Sequence, residues 1–127
     1  MPSLPLVLLP DRLGVCRLAA EAPLPAWVAG PGFASITRTA DEVSIVVDQG
    51  RVPADVAMVG GWRALKVRGP LDFGLTGILA ALAVPLADAG ISLFAIATYD
   101  TDYILVQQDA LDRAITALTA AGHHMVA

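Results

Sequence analysis

The run from Gly69 to Val106, GPLDFGLTGILAALAVPLADAGISLFAIATYDTDYILV, constrains the fold more than any other part of the chain. Leu75, Ile78, Leu79, Leu82 and Leu86 recur at the spacing of one helical stripe. Pro85 lacks an N–H and crowds the carbonyl of Ala81, so a kink or an irregular last turn is expected before Gly90. Ile91 to Thr98 is apolar on both faces apart from Ser92, the pattern of a central strand covered on both sides. Asp100 and Thr101 then turn the chain, and Tyr103 to Val106 returns as a neighbouring strand.

The flanks complete a recognisable order. Trp62 to Arg68 alternates, with Leu65 and Val67 on one face and Lys66 and Arg68 on the other. Asp109 suits the N-cap of a last helix carrying Leu111, Ile115 and Leu118, which Gly122 stops, and Met125-Val126 adds a final strand. Residues 61–127 therefore read β-α-β-β-α-β, the ferredoxin-like arrangement. The first sixty residues read as a degenerate copy. Leu4 to Leu9 and Val15 to Leu18 are short strands, and Ala34 to Thr39 with Val43 to Val47 form a hairpin around Ala40-Asp41-Glu42. Between Glu21 and Gly32 the prolines and glycines leave room for one helical turn near Ala26 to Ala29, and Asp48 to Gly60 reads as a connector. The expected fold class is α+β: two ferredoxin-like units in tandem, 1–60 and 61–127, the first degenerate, sharing a core.

Composition narrows the partners. With 56% hydrophobic residues and a mean hydropathy of +0.65, the 127-residue chain has an apolar surplus. Fully buried strands or a face covered by another subunit would absorb it, and the second points to a homodimer. A net charge of −4, with its basic residues scattered, lacks the dense positive footprint that nucleic acid or an anionic membrane surface requires. Cys16 is the single cysteine, so no internal disulfide forms and a reducing cytoplasm is expected, with Cys16 as a small buried hydrophobe. The N-terminal MPSLPLVLLPDR has no basic region and is interrupted by three prolines, unlike a signal peptide. The longest uncharged stretch, Phe73 to Ala87, falls short of the about 20 residues of a membrane span.

Chemistry concentrates in two turns. The segment Gly69 to Ile78 joins a strand end to a helix start, where backbone N–H groups lack intrahelical partners, and Gly74 and Gly77 remove side chains that would keep a ligand from them. A carboxylate is suited to that position; a plain tight turn with Asp72 capping the helix is the simpler reading. In Thr98-Tyr99-Asp100-Thr101-Asp102, Asp102 stands at the start of a buried strand, where an ammonium group would satisfy it. Alternatively, Asp100 and Asp102 bond N–H groups of their own turn. His123 and His124 are adjacent in a strand and point to opposite faces, so no metal site is expected. No catalytic triad, nucleophile elbow, phosphate loop or dinucleotide fingerprint is present, so neither an enzyme nor a cofactor is expected.

The segments GWRALKVRGPLDFGLTGILA, PLADAGISLFAIATYDTDYILV and the Leu-containing last helix, together with FASITRTADEVSIVV over residues 33–47, resemble the small tandem ACT-domain proteins of bacteria. They are also similar to the ACT pairs of the cytosolic arginine sensor and, more distantly, of amino-acid-inhibited aspartokinases. The resemblance implies a free amino acid bound at the junction of two ACT units. Backbone N–H groups of Phe73, Gly74, Leu75, Thr76, Gly77 and Ile78 would receive its α-carboxylate. Thr98, Tyr99, Asp100, Thr101 and Asp102 would lie opposite, and Ser35, Ile36 and Thr37 would contribute from the first unit. Arginine-binding relatives carry an acidic residue where this chain has Leu75, which cannot neutralise a buried guanidinium. A neutral or apolar amino acid is therefore expected rather than arginine.

The resemblance thus implies a non-catalytic, allosteric regulatory module that signals occupancy to a protein partner. The alternative is a ligand-free ACT module that serves only dimerisation or protein–protein interaction.

Overall fold

A computed structural model describes residues 2–72 and 75–126. The chain divides into two units: Asp11–Trp62, and Met1–Pro10 together with Arg63–Ala127.

In the Asp11–Trp62 unit, β2 (Leu13–Leu18) pairs with β4 (Val43–Asp48), β4 with β3 (Ala34–Arg38), and β2 with the first part of β5 (Ala57–Val67), every pair antiparallel. The order β3-β4-β2-β5 is that of a ferredoxin-like sheet. The expected hairpin is present, and its turn is held by the Thr39 hydroxyl, which accepts from the N–H groups of Asp41 and Glu42 at 3.1 and 3.2 Å. Where the fold calls for helices, only single 3-10 turns form, at Ala26–Val28 and Gln49–Arg51. Prolines and glycines limit the first, as the sequence suggests, and Val52 ends the second in an extended conformation. Arginines serve in place of helical hydrogen bonds: Arg38 donates to the carbonyls of Ala20 and Ala22, and Arg51 to those of Ala29 and Pro31. Cys16, Val28, Val43, Ile45 and Val47 form the core of this unit.

In the other unit, β7 (Asp102–Gln107) pairs with β5 and with β6 (Phe94–Ala97). β1 (Pro5–Leu8) lies antiparallel to β5, with Leu6 opposite Val67, and parallel to β8 (His124–Val126), with Leu6 opposite Met125. The strand order is β8-β1-β5-β7-β6. The amino-terminal strand thus fills the slot between β5 and β8 that a plain ferredoxin-like unit would not have. Helices α1 (Ile78–Asp88) and α2 (Leu111–Ala120) pack on each other and bury Ile78, Leu82, Leu86, Leu111 and Leu118 with Leu6, Leu65, Val67, Ile104 and Val106 of the sheet. His123 is buried beside them. It accepts from the Leu4 N–H on Nδ1 at 3.1 Å and donates from Nε2 to the Ala81 carbonyl at 2.8 Å.

α2 stops on Gly122 as expected, and α1 ends on a glycine in the same way. Gly90 and Gly122 take φ of +72° and +102°. In each case the glycine N–H and the next N–H return to the last turn: Gly90 to Ala87 and Ile91 to Leu86, Gly122 to Thr119 and His123 to Leu118. Pro85 sits inside α1 without ending it, three residues before Asp88, the last residue of the helix.

Four sequence expectations change. Leu75 precedes α1, and Leu75 and Leu79 are about half exposed, so Ile78, Ala81, Leu82 and Leu86 form the buried stripe. Gly77, at φ +79° and without a side chain to cap, is the N-cap of α1 in place of Asp72. Ala110 caps α2 in place of Asp109, because a 3-10 turn over Gln108–Ala110 delays the helix. The strand expected over Ile91 to Thr98 is the shorter β6, and it lies at an edge, because β7 takes the central position beside β5.

Candidate functional site

Strand alternation sorts the residues of β6 and β7 onto two faces. Ala95 pairs with Ile104 and Ala97 with Asp102, and Ile104 is in the core under the helices. Asp102 therefore lies on the helix-bearing face, at the strand end, where α1 begins. Tyr103 and Leu105 project from the opposite face.

The segment before α1 is fastened to the β6–β7 turn by three close approaches. The Leu71 N–H donates to the Asp100 carbonyl at 2.7 Å. The Thr101 hydroxyl, 4% exposed, donates to the Val67 carbonyl at 2.6 Å. Gly69 packs so tightly that a Cβ there would lie 3.0 Å from the Asp100 carbonyl oxygen. The β6–β7 turn is itself closed by the Thr98 N–H and hydroxyl, which donate to the Thr101 carbonyl at 2.9 and 3.0 Å.

Between these segments lies a cleft of about 310 Å³. Leu75, Gly77 and Ile78 line it from the α1 side, and Thr98, Tyr99, Asp100, Thr101 and Asp102 from the other. Thr76 is exposed and does not line it, and Phe73 and Gly74 lie outside the described residues. Ser35, Ile36 and Thr37 are on β3 of the other unit and do not line this cleft. Leu71, Asp72, Leu79 and Ala97 also border it, although turn chemistry did not single them out as site residues. Ala97 follows from the register opposite Asp102, which a hairpin centred on Asp100 would have suggested.

The cleft has two chemical ends and an apolar wall. At one end lie Ile78 and Leu79, whose N–H groups have no intrahelical acceptor, since the first helical bond is from Ala81 to Gly77. At the other, the half-buried Asp102 and exposed Asp100 supply carboxylates. Leu71, Leu75 and Leu79 provide the apolar surface between them. Such a site can hold an anionic group at the helix start and a cationic group at the aspartates. Among the described residues no group of three or more metal-ligating side chains occurs, and no helix is long and apolar enough to cross a membrane.

Residues 58–120 match the family model of the ACT domain, and residues 11–55 match a second model, described as an N-terminal domain. The chain is 36% identical over 109 residues to subunit 1 of the cytosolic arginine sensor for mTORC1 from Bos taurus, covering 76% of this chain and 33% of the sensor. The human sensor is 37% identical over 84 residues, covering 60% and 26%. The chain thus spans a third or less of the length of these curated relatives. The crystal structure of a protein from Agobacterium tumefaciens superposes with a TM-score of 0.94 at 40% identity, covering 99% of this chain and 94% of that one. An aspartate kinase from Clostridium acetobutylicum, 10% identical, shares the fold with a TM-score of 0.68 over 92% of this chain and 34% of its own. On its sequence match and its ferredoxin-like architecture, this chain belongs to the ACT-domain family.

Proposed function

We propose that this chain is a non-catalytic regulatory ACT module that takes up a small free amino acid in the cleft between the α1 start and the β6–β7 turn. The observation that carries the reading is the convergence of unpaired helix-start N–H groups and Asp102 on one cleft. In this reading the ligand's α-carboxylate meets the N–H groups of Ile78 and Leu79 in the first turn of α1, the Leu75 N–H being held by the Asp72 carbonyl at 3.0 Å, and its ammonium meets Asp102, with Asp100 beside it. The ligand side chain rests on Leu71, Leu75 and Leu79, which favours a neutral or apolar amino acid over arginine. The sensing of arginine by relatives of this sequence supports an amino-acid ligand in general. The module works in the cytoplasm as a homodimer. Occupancy favours one arrangement of the protein over another, and a protein partner reads that arrangement.

Thermal unfolding against a panel of the twenty amino acids tests this. A true ligand stabilises the fold by about 2.7 kcal/mol at a hundred times its Kd. One or more neutral amino acids should raise the Tm, arginine should not, and Asp102→Ala should remove the effect. A flat panel would leave the second reading, a ligand-free module for dimerisation or protein–protein interaction, which the apolar outer face of α1 favours.

A further inference from the structure

The sheet that carries α1 and α2 has a second face, turned away from both helices. Leu65 and Val67 of β5 enter the core under the helices, so Lys66 lies on the other side. Arg68 shares that side and continues the pairing of the strand, its N–H donating to the Pro5 carbonyl at 2.9 Å. Tyr103 of β7 lies there too, because its neighbour Ile104 is in the core. This face holds a cavity of about 220 Å³, bordered by Lys66, Arg68, Tyr103, Thr98, Asp100 and Thr101. The β6–β7 turn thus has a hollow on either side, the cleft at α1 and this one behind it.

Charge distinguishes the second hollow. Lys66 is half-buried, and among the described residues its ammonium has no hydrogen bond or ion pair. Its row across the sheet supplies no acid: Val7 stands opposite it on β1, and Val126 opposite Val7 on β8. Toward β6 the face continues through Tyr103 to its partner Ile96. Arg68 follows two residues along the backbone, about 6.6 Å on, and like charges at that spacing repel. Among the described residues bordering the cavity, Asp100 is the one carboxylate against these two cations. The hydroxyls of Thr98 and Thr101 are already donated, to the carbonyls of Thr101 and Val67 at 3.0 and 2.6 Å. A single lysine would leave its head in water. Two cations on one concave surface with one acid hold net positive charge, in a chain whose own net charge is −4.

We infer that this helix-free face carries a second binding site, for a small phosphate- or carboxylate-bearing anion, held by the Lys66 ammonium and the Arg68 guanidinium. The anion relieves the repulsion between the two cations and meets charge-assisted donors from both. Asp100 opposes it from the rim. The site does not rest on the proposed function, because Lys66 and Arg68 border no part of the amino-acid cleft.

Nuclear magnetic resonance titration of the isotope-labelled full chain, at fixed ionic strength, tests this with inorganic phosphate, malonate and chloride. Signals of residues 66–69 and 98–103 should move to saturation with phosphate or malonate and not with chloride. A tighter Kd for phosphate assigns the site to phosphate esters, and a tighter one for malonate to dicarboxylates. Lys66→Met keeps the apolar stem and should raise that Kd at least about tenfold. Lys66→Arg, which keeps the charge, should retain binding. Asp100→Asn removes the opposing carboxylate and should lower the Kd about two- to fivefold. The start of α1 also attracts anions, so saturable binding that Lys66→Met leaves unchanged would belong there and overturn this site. No preference over chloride would overturn it as well. If Lys66→Met does not fold, Asp100→Asn decides alone, and a Kd that it fails to lower would sink the inference.

Discussion

The N–H of Leu71 lies 2.7 Å from the carbonyl oxygen of Asp100, and this bond fastens the segment before α1 to the turn between β6 and β7. The cleft exists because two stretches thirty residues apart are pinned there, one carrying the helix start and the other the aspartates. A change at Gly69 that loosens this seam alters the cleft without touching a residue that lines it.

Gly69 is the most direct point at which to do so. A Cβ at this position would lie 3.0 Å from the Asp100 carbonyl oxygen and 3.1 Å from the Thr101 Cβ, and the first of these is backbone that cannot rotate away. Gly69→Ala should therefore cost about 1–3 kcal/mol in urea unfolding and weaken amino-acid binding in calorimetry. Wild-type stability in this variant would show that the seam is more compliant than its distances imply.

Thr101 holds the same seam by a hydroxyl buried to 4% exposure, donating to Val67 at 2.6 Å. Thr101→Val preserves the shape but leaves the Val67 carbonyl without that donor, so a loss of about 1–3 kcal/mol is expected. Thr101→Ser keeps the hydroxyl and should recover most of it. Equal losses in the two variants would assign the effect to packing instead.

His123 binds two backbone groups, the Leu4 N–H and the Ala81 carbonyl, and the second has no helical donor because Pro85 lacks an N–H. His123→Ala should cost about 2–4 kcal/mol, through two orphaned groups and a cavity. The adjacent His124 is exposed, and His124→Ala should stay within about 0.5 kcal/mol of wild type. Chemical denaturation of the pair reads the contrast.

Burial pushes the Cys16 thiol up from its ordinary range. In the folded chain the thiol keeps its proton at a pH where the unfolded chain, at about 8.5, has begun to lose it. Stability is thus intact below the unfolded value and falls as pH rises through the folded one. Unfolding measured from neutral to mildly alkaline pH should show this decline in wild type and a shallower one in Cys16→Ala. Parallel curves would remove Cys16 as its source.

Local chemistry was legible in the sequence wherever neighbours along the chain decide the structure. The hairpin of β3 and β4, the alternation of Leu65 and Val67, and the glycine stop at 122 are all of this kind. The two turns that line the cleft were legible for the same reason. What could not be read were choices made by distant pairing. β6 is as apolar as a central strand, yet β7 takes that place. Leu75 and Leu79 fit the helical stripe, but the start of α1 at Ile78 and the direction of its packing leave them outside the core. Asp109 has the right chemistry for a cap one residue too early, because a 3-10 turn intervenes.

The placement of β1 between β5 and β8 has a consequence for synthesis on the ribosome. β1 precedes the other strands of its sheet along the chain, and its parallel neighbour β8 follows all of them. Residues 11–62 have all their strand partners by the time β5 has emerged, and β1 can pair with β5 then, whereas the helices and the parallel neighbour that complete the burial of Leu4 and Leu6 follow only later in the chain. Removal of the first ten residues should therefore cripple the carboxyl-terminal half of the protein while sparing the segment that directly follows the cut.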